Sequence, residues 1–398
     1  MLLTHKIQLV PNNKQAGYFA QAAGVSRFAY NWALAEWQRQ YEAGERPSEI
    51  SLRKQLNSIK REQFPWMYEV TKSAPQQAIK NLGNAFDRFF KKQGKYPRFK
   101  KKGVHDSFRA DNGPVGTGGD AVRVEGNRIK LARIGWVRMT ESVRFQGQIK
   151  SVIISKKAGR WFAAINVDTQ ALPHARKNQA SASVAQAVGV DLGITKLAVL
   201  STGAEIEGPK ALKKALSRIR FLNKELARRK KGSGNWLKTK AKLAQAHYRV
   251  ACLRNDALHK LTTELVLTHS VIGIEDLNVS GMMKNRRLSR AIADQSFGEF
   301  RRQMAYKSEW YGSELVIYPR FKPSSKMCCA CGQIHAMSLS QRVMNCPCGN
   351  RMDRDLNAAI NIKNYAVSTT ACGGDSAGLT EGLSGETMPV KQETNSYQ

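Results

Sequence analysis

Apolar and polar positions change rhythm several times along this chain, and each change marks an element. From Leu3 to Val10 they alternate, the period of a half-buried strand, and Pro11-Asn12-Asn13 ends it. From Gln15 to Ala43 the spacing turns helical, with Tyr18, Phe19, Phe28, Trp32 and Trp37 as its large residues. Gly24 falls inside that stretch and predicts a break into a helical pair. The aromatics read as core rather than as base-stacking platforms. Helices are expected over residues 51–59 and 72–90. In the second, Ala74, Ala78, Leu82 and Phe86 share one face, and Lys72, Gln76, Lys80 and Arg88 lie on the polar side. Pro75 fits only a first turn, so Ser73 or Ala74 is the expected cap.

Beyond residue 103 the alternation returns. VRVEGNRIKL carries a Gly-Asn turn between two strands, and SVIISKKAGRWFAAINVD carries another at Ala158-Gly159. With strand 3–10 these predict a small β-barrel whose first strand is separated from the rest by inserted helices. The polar stretch 170–186 reads as a linker. Residues 187–195 form an apolar strand holding Asp191, Gly193 allows a turn, and residues 196–203 return. Strand, acid, glycine turn and return strand is the opening of an RNase H-like fold. Two long basic helices, 209–231 and 236–269, flank Gly232-Ser233-Gly234. A second buried strand ends at Glu275, and a third spans 314–318. After Asp355 the apolar residues Leu356, Ala359, Ile360 and Ile362 fall at helical spacing. Asp355 therefore reads either as the N-cap of a last helix or as a functional acid.

Charge narrows the partner. Lys and Arg number 64 against 31 Asp and Glu, a formal net charge of +33. That excess implies a polyanion, with nucleic acid first, and binding that weakens steeply with salt. No apolar run is long enough to span a membrane, so no membrane partner is expected. In residues 91–102 the cations Lys91, Lys92, Arg98 and Lys100 interleave with Tyr96 and Phe99, a pattern suited to a nucleic-acid backbone. Arg218, Arg228 and Arg229 give the first basic helix a similar role.

Five of the seven cysteines lie between Pro323 and Ile362. Cys328 and Cys331 form C-x-x-C, and Cys346 and Cys348 form C-x-C. Four thiolates on two tight turns suit zinc, and Gly332 and Gly349 follow the two pairs. The shorter second pair leaves one ligand open to replacement by Cys329 or His335. Disulfides are not expected, because the chain opens on no secretory signal and basic intracellular proteins rarely keep them. With too few apolar residues for its own core, the segment would rely on the ion to fold. Asp191, Glu275 and Asp355 each end a strand or open a helix, and each could point to one end of one sheet. Such a cluster needs cations to neutralise it, and oxygen-only ligands select Mg²⁺ or Mn²⁺. Two such ions would serve phosphodiester hydrolysis. Strand alternation turns Asp276 away from Glu275, and Asp353 is the other bystander.

KIQLVPNNKQ, YNWAL, TKSAPQQA, KYPRFKKK, GVDLGI, RNDALHK, IGIEDLN, PSSKMCCACG and DRDLNAAINI together resemble the TnpB family, insertion-sequence-encoded RNA-guided nucleases related to the type V CRISPR effectors. The resemblance covers nearly the whole chain. It implies an α+β multidomain fold. A β-barrel (wedge) domain would comprise residues 1–12 and 104–169, carrying a helical recognition insert at 13–103. A linker at 170–186 would lead to a RuvC-like, RNase H-like nuclease core at 187–322 and 351–366, interrupted by a zinc module at 323–350. Residues 367–398 would be a disordered tail. It further implies a guide RNA from the transposon end, one protein per RNA, double-stranded target DNA and a cytoplasmic protein that joins the nucleoid on DNA. Asp191, Glu275 and Asp355 match the family's acids, and Lys72 and Gln76 match positions used beside its flanking DNA motif. The C-x-C pair departs from the family. Two other readings are a nuclease-inactive RNA-guided repressor, which would be expected to have lost an acid, and a DNA transposase, which would need strand-transfer activity.

Overall fold

The alternation at the N-terminus becomes β1 (Leu2–Val10), with Leu3, His5, Ile7 and Leu9 buried and their neighbours turned outward or half out. The computed structural model describes residues 1–112, 122–169, 187–338 and 340–371. It divides into two compact units, Met1–Ala171 and Leu172–Gln398. The expected linker 170–186 and most of the expected tail lie outside the described residues.

In the first unit β1 is followed by α1 (Asn13–Glu42), α2 (Glu49–Gln63), a 3₁₀ turn at Pro65–Glu69 and α3 (Ser73–Phe90). Six strands complete it: β2 (Ser107–Asp111), β3 (Val122–Glu125), β4 (Arg128–Leu131), β5 (Gly135–Met139), β6 (Gln148–Lys157) and β7 (Arg160–Asp168). They form one antiparallel sheet in the order β2-β6-β7-β1-β5-β4-β3. Thus β1 pairs with β7 from Leu2 to Leu9 and with β5 at Leu9 and Val10, across the intervening helices. The ladder runs from β2 to β3, and the Val122 N–H of β3 donates to the Asn112 side chain just past β2 at 3.1 Å, so the two ends of the sheet lie close together. Phe19 meets Trp161 edge-on at 5.3 Å, and Trp37 stacks on Phe86 at 4.1 Å. These helix aromatics pack within the unit.

Two helix expectations need correction. α1 runs unbroken through Gly24. One glycine costs only about 1 kcal/mol against alanine, and Ala22, Ala23 and Val25 beside it are buried. The cap of α3 is Lys72, with no side-chain bond, rather than Ser73 or Ala74. Ser73 is buried, and its hydroxyl accepts the Asp111 N–H of β2 at 3.5 Å, so it is engaged across the core.

The second unit is built on β8 (Ala187–Leu192), β9 (Ala198–Leu200), β10 (Glu205–Ile206), β11 (Val271–Glu275) and β12 (Glu314–Tyr318), in the order β10-β9-β8-β11-β12. β8, β11 and β12 run parallel, while β9 and β10 run antiparallel. Between β10 and β11 lie α4 (Ala211–Arg228) and α5 (Gly234–Thr268). The short α6 (Val279–Met282) and α7 (Ser289–Gln295) and the longer α8 (Phe297–Tyr311) precede β12. Val188, Val190, Ile272 and Ile274 form a core with Leu261 and Leu265 of α5 and Phe300 and Met304 of α8. The hairpin β13 (Val343–Asn345) and β14 (Arg351–Asp353) leads into α9 (Arg354–Ala371), which lies on the opposite face. Residues 367–371, expected in a disordered tail, are the last turn of this helix.

Candidate active site and cysteine cluster

Strand alternation decides what faces α9. Gly189 and Gly273 are register partners on β8 and β11. A Cβ on Gly189 would fall 2.0 Å from the Ala359 carbonyl oxygen, and one on Gly273 would fall 2.9 Å from Ile362. The helix therefore rests directly on backbone. Two residues further along each strand, on the same face, stand Asp191 and Glu275. Because the strands are parallel, both acids reach the C-terminal end of the sheet, where open α/β sheets bind ligands. α9 brings Asp355 there in its first turn.

The electrostatics agree with this proximity. Burial first, then the charges of Glu275 and Asp355, push the Asp191 carboxyl well above its ordinary range, while Arg354 opposes the shift. Burial also raises Glu275, against a hydrogen bond donated by the Ser324 hydroxyl at 2.6 Å. The bystanders are accounted for differently. Asp353 accepts the N–H groups of Asp355 at 2.8 Å and Leu356 at 3.2 Å, so it is the N-cap of α9. The cap reading of Asp355 is thus corrected by two residues. Asp276 pairs with Arg301 and with Arg320, the latter at 2.7 Å. Tyr318 lies opposite Glu275 in register, with its buried hydroxyl unpartnered and pushed up to about 12 by burial and then by Glu275.

This donor set fits a hard divalent cation. It is oxygen-only, and its charges oppose one another until something positive neutralises them. The acids are less tightly gathered than the cysteines. Among the described residues, the group whose ligand atoms converge for one ion is Cys328, Cys331, Cys346 and Cys348, with those atoms within 4.8 Å of one another. Gly332 and Gly349, with φ of 76° and 90°, make the turns behind the two pairs. Burial pushes the Cys328 thiol up, but the Cys331 amide and the Asn350 side chain outweigh it, bringing the thiol down to about 6. Of the two substitute ligands, Cys329 points instead toward Met352, with its sulfur 3.6 Å from the thioether. His335 places Nε2 3.2 Å from the Cys346 sulfur.

Sequence reasoning missed the ties that hold these parts together. Asn357, fully buried on α9, accepts the Cys329 N–H at 3.0 Å and donates to the Met327 carbonyl at 2.7 Å. Asn361 donates to the Ser324 and Met327 carbonyls at 2.8 and 2.6 Å. Their available signal was two asparagines four apart within an apolar helical run. Ser324 left no such signal.

The basic candidates separate into two kinds. Lys72, Lys91, Lys92, Arg98, Arg218 and Arg228 are exposed, and Gln76 is half-buried one turn after Lys72. Lys100 and Arg229 are engaged by their own units. The Lys100 ammonium sits 3.9 Å from the Tyr30 ring centroid, and burial brings it down to about 8. Arg229 pairs with Glu225 and donates to the Asn235 carbonyl at 2.6 Å. Both are half-buried rather than exposed.

Residues 165–286 match the family model OrfB_IS605, described as "Probable transposase". Residues 297–362 match "Cas12f1-like, TNB domain", and residues 1–46 match "Helix-turn-helix domain". A Streptomyces pristinaespiralis protein named "Putative RNA-guided DNA endonuclease" is 34% identical over 395 residues, covering 98% of this chain and 95% of its own. The chain belongs to the TnpB family. This TnpB-family chain is also 33% identical to the Escherichia coli (strain K12) "Putative RNA-guided DNA endonuclease InsQ", over 94% of each chain. Its fold is similar to that in a structure titled "Cryo-EM structure of the Cas12f1-sgRNA-target DNA complex". The TM-score is 0.58 at 14% identity, over 89% of this chain and 84% of that one. Within residues 1–46, this TnpB-family chain has a strand and one uninterrupted helix rather than two helices.

Proposed function

We propose that this protein is an RNA-guided DNA endonuclease that hydrolyses phosphodiester bonds with Asp191, Glu275 and Asp355. The observation that carries the reading is that Asp191 and Glu275 share one face at the C-terminal end of a parallel sheet, with Asp355 in the first turn of the helix that lies on that face. It joins the names of two relatives matched over nearly their whole length, "Putative RNA-guided DNA endonuclease" and "Putative RNA-guided DNA endonuclease InsQ". Mg²⁺ or Mn²⁺ ions held by these carboxylates would lower the pKa of a bound water and neutralise charge on the phosphate. The chain's own part is to hold the acids close and still. Asp191 and Glu275 are fixed by strands, and Ser324 holds Glu275 through its hydroxyl. Asp353 secures the first turn of α9, which fixes where Asp355 stands. Arg301 and Arg320 draw Asp276 out of the cluster.

In this reading residues 1–12 and 104–169 form the wedge domain, 13–103 the recognition insert, and 187–322 with 351–366 the RuvC-like nuclease. Cys328, Cys331, Cys346 and Cys348 hold a structural zinc. The guide derives from the transposon end. Lys72 and Gln76 read the flanking DNA motif, with glutamine suited to adenine and lysine to guanine or phosphate. Lys91, Lys92, Arg98, Arg218 and Arg228 bind backbone. The test is plasmid cleavage with Mg²⁺ and a matched guide RNA, beside a binding assay. Asp191→Ala, Glu275→Ala and Asp355→Ala are each expected to abolish cutting while leaving binding nearly intact, without additive losses. Asp276→Ala and Asp353→Ala are expected to retain partial activity. Cutting by Asp191→Ala would refute the assignment.

A further inference from the structure

Phe321 is 94% exposed, well beyond the next large apolar residue among those described, Tyr41 at 69%. A single exposed aromatic is ordinary on a protein surface. What surrounds this one is not ordinary. Lys322 donates its N–H to the Pro319 carbonyl at 3.1 Å, which places Phe321 at the tip of a tight turn. Both shoulders of that turn are pinned. Arg320 reaches Asp276 through its carboxylate at 2.7 Å and its carbonyl at 3.1 Å. The Lys322 ammonium lies 4.5 Å from the Tyr365 ring centroid and 5.8 Å from that of Tyr318. The ring is thus held out on an anchored support, where side-chain packing gives it nothing.

The turn also ends at the acids on both sides. Tyr318, before it, is the register partner of Glu275, and Ser324, after it, donates to Glu275. Three residues of chain span at most about 11 Å, so Phe321 stands within one or two nucleotides of a phosphate held by the acids. A flat apolar face there suits the base of a single strand drawn out of its duplex. Stacking of this kind tolerates any sequence because every base has a π-face.

We propose that Phe321 is a positioning residue that stacks on a nucleobase of the DNA strand being cut and so sets that strand's phosphate against Asp191, Glu275 and Asp355. This rests on the nuclease reading above. The step is non-covalent, and its strength is that of one base–aromatic stack.

The experiment uses the full chain with its guide RNA and Mg²⁺. Cleavage is followed for wild type, Phe321→Leu and Phe321→Trp, on duplexes intact or carrying one abasic position stepped through the cut region. Phe321→Leu is expected to cut about five- to 150-fold more slowly, with guide and target affinity unchanged, and Phe321→Trp is expected to recover the rate. One abasic position is expected to slow wild type by a similar factor and to slow Phe321→Leu no further. Stacking is overturned if Phe321→Leu matches wild type, if Phe321→Trp is as slow as leucine, or if no abasic position distinguishes the two proteins. A wild-type complex that cuts nothing would overturn the nuclease reading instead.

Discussion

At the scale of single residues, the second unit is a problem of neighbouring carboxylates given different work. Asp353 caps a helix, Asp276 is paired to arginines, and Asp191 is left among acids. The cost of the last arrangement should be measurable without nucleic acid. Folded Asp191 keeps its proton to higher pH than unfolded Asp191, so folding takes up a proton in the window above the ordinary carboxylate value. Wild-type stability then falls as pH rises through that window, and the Asp191→Asn variant is spared this loss. Thermal melts without divalent ions should find Asp191→Asn the more stable protein at pH 7, with the gap closing below pH 3.8. Added Mg²⁺ should stabilise wild type more than the variant. Equal melts at neutral pH would mean the acids do not burden the fold. Alternation and spacing made Asp191 and Glu275 legible as candidates. They could not separate Asp353 from Asp355, because two aspartates one position apart at a helix start look alike until backbone N–H groups are assigned to one of them.

At the scale of elements, α9 carries most of the second unit's precision. It lies on glycine, presents Asp355 and holds the cysteine segment through Asn357 and Asn361. Gly189→Ala would bring a methyl within 2.0 Å of the Ala359 carbonyl oxygen and 2.4 Å of the Lys363 nitrogen, both backbone atoms. The Gly273→Ala clashes begin at 2.9 Å and include the Ile362 side chain, which has some room to move. Overpacking of a core typically costs about 1–3 kcal/mol. Gly189→Ala should exceed that range, and Gly273→Ala should fall inside it, in denaturant melts. Cleavage should be lost more completely in the first. The strands were legible because β-branched runs and Gly-containing turns are local signals. The continuity of α1 was not, because it depends on burial of Ala22, Ala23 and Val25 around Gly24. Likewise, the closeness of α9 to β8 follows from a glycine far away in sequence.

At the scale of the whole molecule, a net charge of +33 sets the expectation that affinity for nucleic acid falls steeply with salt. Side chains differ in how they contribute. Replacing exposed Lys91 or Lys92 with alanine should reduce the slope of log affinity against log salt by about 1 for each phosphate no longer neutralised. Stability should be unchanged. Lys100→Met should do the reverse, since its ammonium lies over Tyr30: the slope should persist and the first unit should melt earlier. An unchanged slope for both exposed variants would move the binding surface elsewhere. The placement of Asp355 has a consequence in time as well as in space. On the proposed chemistry, a chain leaving the ribosome has its basic helices and two of its acids long before α9 arrives, and the groove over Gly189 and Gly273 waits for that helix. The capacity to hold nucleic acid is therefore made first and the capacity to cut it last. A chain stopped by a nonsense codon between Asp276 and Arg354 would carry the basic helices but lack Asp355, and so could not complete the proposed cutting centre.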